Sequence, residues 1–366
     1  MSMGLSMGIV GLPNVGKSTL FNAITNSLIE AQNFPFCTID PNKGIVPVPD
    51  DRLDVLAKIS NTQKVIPATI EFIDIAGLVQ GASKGEGLGN KFLANIREAS
   101  AIVHVVRCFD NDDIVHVDGS VEPARDINII NTELILSDVE QCEKAIESQK
   151  KRCRTNDKAE VLKLDVLTKC LDQLSNETPI RSINLSDSEK DCIKEYQFLT
   201  NKKVIYVCNV SEAELTCENH HVAAVKALVK SEDAQIIQLS ASFEHEVSQL
   251  DGDEKKEFLN EFGLSNSGLE RLAKQSFTLL GLETFLTTGE KETRAWTIPV
   301  GTLAPKAAAE IHTDFEKGFI RANVINFDAF VECNGYKLAK EKGKVRQEGK
   351  DYIVKDGDII EFLFNV

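Results

Sequence analysis

The chain has 366 residues, a length that suits two or three domains, and its 42% hydrophobic and 27% charged content is that of a globular protein, which excludes a disordered or fibrous one. Forty-one basic residues against 56 acidic ones leave a net charge of −15, which excludes a uniformly basic nucleic-acid-binding coat but allows a local basic face. No apolar run reaches the roughly 18 residues that cross a bilayer, Met1–Met7 does not read as a signal peptide, and nine cysteines without a Cys-x-x-Cys pair point to a reduced, cytoplasmic setting without membrane association.

The first predicted strand is the apolar run Met7–Val10, joined by a Gly-rich turn to Ser18–Ile24 at helical spacing. Ala68–Ile73, Ala101–Val106, Val204–Cys208 and Ala234–Leu239 predict further strands, and Ala101–Val106 is apolar enough to be covered on both faces. Strands alternating with helical segments predict right-handed βαβ units and a mostly parallel sheet, so the expected class is α/β. The stretch from Phe109 to Lys203 is about three times the roughly 30 residues of one crossover. Within it Ile130, Leu134, Cys142 and Ile146 share a helical face. After a polar break at Arg152–Asp157, Leu164, Leu167, Leu171 and Leu174 recur at 3-4-3 spacing. The pattern predicts a helical hairpin with a coiled-coil seam. Lys150, Lys151, Arg152 and Arg154 at its tip are a candidate contact for RNA phosphate. Beyond Gly281, strands at Thr284–Thr288, Arg294–Ile298 and Asp358–Phe364 with a helix over Ala304–Thr313 predict a compact α+β unit.

Gly11-Leu-Pro-Asn-Val-Gly-Lys-Ser18 fits the phosphate-loop pattern G-x-x-x-x-G-K-S, and it lies between a predicted strand and a predicted helix. Its glycines let the backbone wrap phosphate, so Asn14, Val15, Gly16, Lys17, Ser18 and Thr19 are the candidate nucleotide-binding residues, reinforced by the helix N-terminus. Lys17 is expected at the β- and γ-phosphates, with the Ser18 hydroxyl on Mg²⁺. Asp74, ending a strand, is the expected Walker B carboxylate. Thr38, in the Pro-punctuated Asn33–Asp40 loop, is a second candidate Mg²⁺ ligand. Gly77 can bring a backbone N–H against the γ-phosphate. The five glycines from Gly77 to Gly89 suggest a segment that orders with nucleoside triphosphate. Leu78 stands where many P-loop GTPases carry a water-orienting Gln, so hydrolysis is expected to be slow or assisted. His116 and Asp118 are candidates for that assistance, as is a partner's group; His116 also reads as a plain surface imidazole.

Gly77–Leu93 resembles the glycine-rich switch of the Obg-related P-loop proteins, and the chain from about Met7 to Val366 resembles the YchF family of Obg-like ATPases. Asn33-Phe-Pro-Phe-Cys-Thr38 and Glu122-Pro-Ala-Arg-Asp126 also carry the resemblance. It implies a P-loop domain at 7–126 and 203–280, interrupted by a helical coiled-coil arm at 127–202. A TGS domain, a ubiquitin-like β-grasp module, is implied at 281–366. It further implies ATP as nucleotide and the ribosome or ribosomal RNA as partner; a monomer is expected.

GTPases of this class read guanine with Asn-Lys-x-Asp, and here the fourth long strand ends in Asn209-Val-Ser-Glu212. Val210 removes the lysine that packs along the base, and Glu212 is one methylene too long for the bidentate grip. The residues alone thus show weakened guanine selectivity. The resemblance implies adenine, read by a carbonyl near Asn209 with Ser240-Ala241-Ser242 closing over the base. Asn14 resembles the Asn that helps hold K⁺ in cation-activated relatives, where the ion neutralises transition-state charge; its other reading is a loop Asn bonding its own backbone. His220 and His221, adjacent on a helix and so about 100° apart, are read as non-chelating, and Trp296 as filling a core edge. Three functions stay open: a slow Mg²⁺-dependent ATPase switch, a GTPase tolerating the altered motif, and an interaction protein that holds nucleotide without turnover.

Overall fold

In the computed structural model, which describes residues 5–31, 42–75, 88–111, 119–153, 157–232 and 234–365, the first apolar run forms strand β1 (Ser6–Val10), buried at every position. In chain order come α1 (Lys17–Ala31), β2 (Lys43–Pro47), α2 (Asp51–Ser60), β3 (Lys64–Ile66), β4 (Thr69–Asp74), α3 (Leu88–Glu98) and β5 (Ala101–Arg107). The long α4 (Pro123–Arg152) and α5 (Lys158–Ser175) precede α6 (Asp187–Ile193), β6 (Val204–Asn209), α7 (His220–Leu228) and β7 (Gln235–Leu239). Then follow α8 (Ala241–Val247), α9 (Gly252–Glu261), α10 (Gly268–Leu279), β8 (Leu282–Thr288), β9 (Glu292–Pro299), α11 (Ala304–Ile311) and α12 (Thr313–Lys317). The chain ends with β10 (Phe319–Asn326), α13 (Phe327–Glu332), α14 (Tyr336–Glu341), β11 (Arg346–Glu348) and β12 (Asp358–Phe364). Among the described residues no helix is long and apolar enough to cross a membrane.

The described residues form two compact units, one of 5–30, 42–44 and 71–269, the other of 31, 45–70 and 270–365. In the first, β4, β1, β5, β6 and β7 pair in that order, all parallel. The inner strands β1, β5 and β6 are buried throughout, while the edge strand β7 is only partly so. Unbroken apolar strands of this kind require covered faces, as in any parallel sheet. β2 begins beside β4, where the Asp74 N–H donates to the Asn42 carbonyl over 2.9 Å. From β1 the chain reaches β4 on one side and β5 on the other, so the strand order reverses at β1. A crevice opens at the carboxyl ends of the strands on either side of such a reversal.

The hairpin forms where predicted. Pro123 opens α4, at a position where its missing N–H costs nothing. Asp157 caps α5 by accepting from the Ala159 N–H. Cys142, Ile146, Leu167 and Leu174 are buried in the hairpin core, whereas Leu164 and Leu171 are only partly so. Val166 and Cys170 take up the remaining buried surface, because α5 packs on Ile180, Ile193 and Phe198 as well as on α4. The seam is therefore broader than a two-helix pattern predicts.

The second unit is built on a mixed sheet with order β11-β10-β12-β8-β9-β3. β8–β9 and β10–β12 are antiparallel and β12–β8 is parallel. α11 lays Ala304, Ala307 and Ala308 on Phe285, Ile298, Val324 and Ile360. A helix packed on a mixed sheet is consistent with the expected β-grasp module, and α2, α12, α13 and α14 accompany it in the unit. The structure adds β2, α2 and β3, and also β10 and β11, to the elements legible in the sequence. Residues 45–70 group with this unit although they precede the second long strand: β3 pairs parallel with β9. Arg52 of α2 holds Asp50 and Asp356 and donates to Thr284, and the Thr62 hydroxyl donates to the Gly289 carbonyl. A three-residue strand with one buried position carries too little pattern to announce this pairing.

Candidate nucleotide-binding site

The carboxyl end of β1 leads into the Gly11–Ser18 loop. Asn14 (φ 62°) and Gly16 (φ 94°) both adopt the left-handed region. A Cβ at Gly16 would lie 2.2 Å from Asn209 Nδ2, and one at Gly11 would lie 2.8 Å from the Val105 carbonyl. Both positions therefore exclude any side chain, and Gly16 also needs the backbone freedom. The Leu20 N–H donates to the Gly16 carbonyl over 2.9 Å, so Lys17, Ser18 and Thr19 form the first turn of α1. Free N–H groups and the helix dipole make that turn an anion site.

Asp74 reaches the same place from β4, whose register sets it beside Ile9 of β1. The Lys17 ammonium donates to its carboxylate, with the Lys17 side chain largely buried. The amine expected on phosphate and the carboxylate expected near Mg²⁺ thus converge. The Asp74 carboxylate and the exposed Ser18 hydroxyl supply oxygen donors of the kind Mg²⁺ takes. Thr38, Gly77, Leu78, His116 and Asp118 lie outside the described residues, as does Arg154 at the hairpin tip.

A cavity of about 520 Å³ opens beside the loop, lined by Asn14, Gly16 and Thr19 of the loop and α1 and by Phe109, Val210 and Glu212. Asn209 is buried; its Nδ2 donates to the Val15 carbonyl and its Oδ1 accepts from the Ala241 N–H, each over 2.9 Å. Its side chain thus ties the phosphate loop to α8, a bracing role beyond the base contact expected from sequence. Val210 is buried and donates its N–H to the Leu239 carbonyl. The Ser242 hydroxyl donates to Glu212 over 3.1 Å and lies 2.9 Å from that of Ser240. Ser240 caps α8 by accepting from the Phe243 N–H. Of the four base-side candidates, Asn209, Val210 and Ala241 line the cavity, and the buried Ser240 lies behind them as the cap of α8.

Sequence reading overlooked the part of the lining that follows β5, Phe109 and Asn111. Arg107, 1% exposed at the end of β5, donates to the carbonyls of Phe109 (3.2 Å) and Asn111 (3.0 Å), and its guanidinium sits 4.8 Å from the Phe109 ring centroid. Asn219 donates to the Cys108 carbonyl (2.7 Å) and to Glu214 (3.0 Å), joining the loops after β5 and β6. The Ser211 hydroxyl, ahead of opposing burial and with help from Asn219, holds the Glu214 carboxyl below the usual range. An arginine ending a strand buried at every position was the signal: a buried guanidinium needs several acceptors nearby. The same loop brings Asp110 within 3.3 Å of His221, whose ring lies 3.9 Å from that of His220. The two imidazoles thus lie side by side instead of diverging, and with Asp110 they place potential ligand atoms within 4.8 Å of one another. Trp296 is half-buried against Phe285 at the core edge, as expected, with its Nε1 donating to Thr287.

The family model described as "50S ribosome-binding GTPase" matches residues 6–137. The YchF GTPase C-terminal model, described as "Protein of unknown function (DUF933)", matches residues 282–365. A protein of Pasteurella multocida named ribosome-binding ATPase YchF is 56% identical over 364 residues, with 100% of both chains covered. Its namesake in Bacillus subtilis is 50% identical over 366 residues, again with 100% of each covered. The solved structure of the Schizosaccharomyces pombe YchF GTPase superposes with a TM-score of 0.90 at 37% identity, covering 98% of each chain. Identity at that level along the whole of both chains means that this protein belongs to the YchF family.

Proposed function

We propose that the chain is a Mg²⁺-dependent ATPase of slow intrinsic turnover that binds the ribosome according to its nucleotide state. The observation that carries the choice of nucleotide is the base-side motif. Val210 is apolar and buried where guanine readers place a lysine, and one Glu212 oxygen already accepts from Ser242. Neither group offers the bidentate carboxylate that the guanine edge requires. The names of the bacterial relatives support ATP and the ribosome, while the name of the yeast relative, a GTPase, keeps GTP as the competing reading.

In this reading residues 7–126 and 203–280 serve the nucleotide, the 127–202 arm and the 281–366 module face the partner, and the protein works as a cytoplasmic monomer. With nucleotide bound, Lys17 would leave Asp74 for the β- and γ-phosphates. Ser18, Thr38 and Asp74 would hold Mg²⁺, which supplies charge neutralisation at the phosphates. Gly77 would sense the γ-phosphate, and His116 is the candidate for orienting water in place of Leu78. Asn14 is the K⁺ candidate; equal rates in Na⁺ and K⁺ would remove it. The test of the whole is competition of ATP and GTP for the Mg²⁺-loaded protein with phosphate release followed in parallel. ATP preference with slow release is expected. A tenfold preference for GTP (about 1.4 kcal/mol) would move the protein to the GTPase reading, and tight binding without release would make it an interaction protein.

A further inference from the structure

We propose that residues 337–355 of the second unit form a docking surface for the phosphate backbone of ribosomal RNA. The proposal rests on the ribosome-binding reading and localises it. In a chain of net charge −15, residues 336–355 carry seven basic side chains against three acidic ones. Lys337, Lys340, Lys342, Lys344 and Lys350 are all exposed, and none forms an ion pair with a described residue. In the same unit Lys306, by contrast, is paired with Glu316.

Three successive elements display these charges. α14 carries Lys337 and Lys340, the following turn carries Lys342 and Lys344, and Lys350 lies just past β11. β11 is the outermost strand of its sheet, paired only with β10, so the segment runs along a sheet margin. Arg346 anchors it: its Nη2 donates to the Tyr352 hydroxyl over 3.2 Å, its guanidinium lies 5.6 Å from that ring, and it pairs with Glu348 and Asp358. Leu338 and Ile353 of the same stretch are about half exposed. Compact ammonium groups on flexible stems suit a partner recognised by charge and shape, as helical RNA is through its phosphates. Lysines also guard sheet edges against strand addition. That role does not account for Lys337 and Lys340, which lie on a helix, and a three-residue edge offers little to guard.

The test is co-sedimentation of the full chain with ribosomes in ATP and in ADP across a KCl series, comparing wild type with K340Q/K342Q/K344Q/K350Q. These substitutions leave the Arg346–Tyr352–Asp358 contacts untouched. The expected result is binding about tenfold weaker or worse, a salt dependence shallower by about three in log–log slope, and unchanged ribosome-free ATP hydrolysis. K291Q/K306Q/K317Q, in the same unit, should bind as wild type does. Quadruple-variant binding equal to wild type would overturn the proposal. So would a loss with unchanged salt slope, a loss shared by the control variant, or self-association of the quadruple variant, which would assign the lysines to edge protection. Wild type that fails to bind ribosomes in either nucleotide refutes the underlying ribosome reading instead, and is seen before any variant is made.

Discussion

Asn209 and Val15 stand 194 positions apart in the chain, and the Asn209 side-chain amide donates to the Val15 carbonyl over 2.9 Å. The same side chain accepts from the Ala241 N–H, so one buried amide holds the phosphate loop, the end of β6 and the start of α8 together. Gly16 must be glycine partly because Asn209 occupies the space its Cβ would take. A motif read from sequence as a base selector is, in the folded chain, also the brace of the phosphate loop.

Asn209→Ala leaves a buried carbonyl and a buried N–H without partners, at about 1–3 kcal/mol each. ATP affinity is expected to fall tenfold or more, with a lower urea midpoint. Titration with a fluorescent ATP analogue measures the first; affinity within twofold of wild type would mean the loop holds its shape without Asn209.

Val210→Lys with Glu212→Asp rebuilds the guanine-reading pattern on the same strand end. The double variant is expected to shift the ATP/GTP affinity ratio toward GTP by about tenfold, about 1.4 kcal/mol. Competition binding reads the ratio directly, and an unmoved ratio would place base selection in the Phe109 wall instead.

His104 lies in β5 between Val10 of β1 and Tyr206 of β6, and its ring centroid is 5.4 Å from that of Tyr206. Burial, with a smaller contribution from the Arg181 charge, pushes its imidazole down to about 3. The unfolded chain takes up this proton near pH 6.5, the folded chain not until far lower. The stability contribution is therefore complete above pH 6.5 and is lost as pH falls toward 3, by up to about 1.4 kcal/mol per pH unit. His104→Gln is expected to flatten the acid limb of stability against pH in urea melts between these values. Identical limbs in the two proteins would rule His104 out as the source.

Leu167 is fully buried in the hairpin core. Leu167→Ala is expected to cost about 2–5 kcal/mol while ATP affinity stays within twofold. Thermal melts and nucleotide titration on one preparation check both; a matching loss of affinity would show that hairpin packing feeds the nucleotide site.

Some of this site could be read from the chain alone because its physics is local. Lys17, Ser18 and the two loop glycines all fall within Gly11–Ser18, and Asp74 ends an apolar strand, so strand, turn and helix follow from neighbouring residues. The hairpin was equally legible, since helical periodicity repeats over many turns. Phe109 and Asn111 were not. Nothing near them in sequence marks a wall of the cavity, which exists only because Arg107 folds back onto their carbonyls. Asn219 likewise caps α7 by accepting from the Val222 N–H, and its second task, joining two loops, depends on a residue 111 positions away.

By itself the sequence determined the parallel sheet, the phosphate-loop motif, the carboxylate that ends the second long strand, the hairpin and the changed base motif. Each rests on short-range spacing or on the burial period of one element. Only the tertiary structure decided that β3 joins the second sheet, that Lys17 closes on Asp74, and that Asn209 braces the phosphate loop. Those are pairings between groups far apart in the chain, and hydrogen-bonding valence leaves many partners open until the backbone has fixed which ones meet.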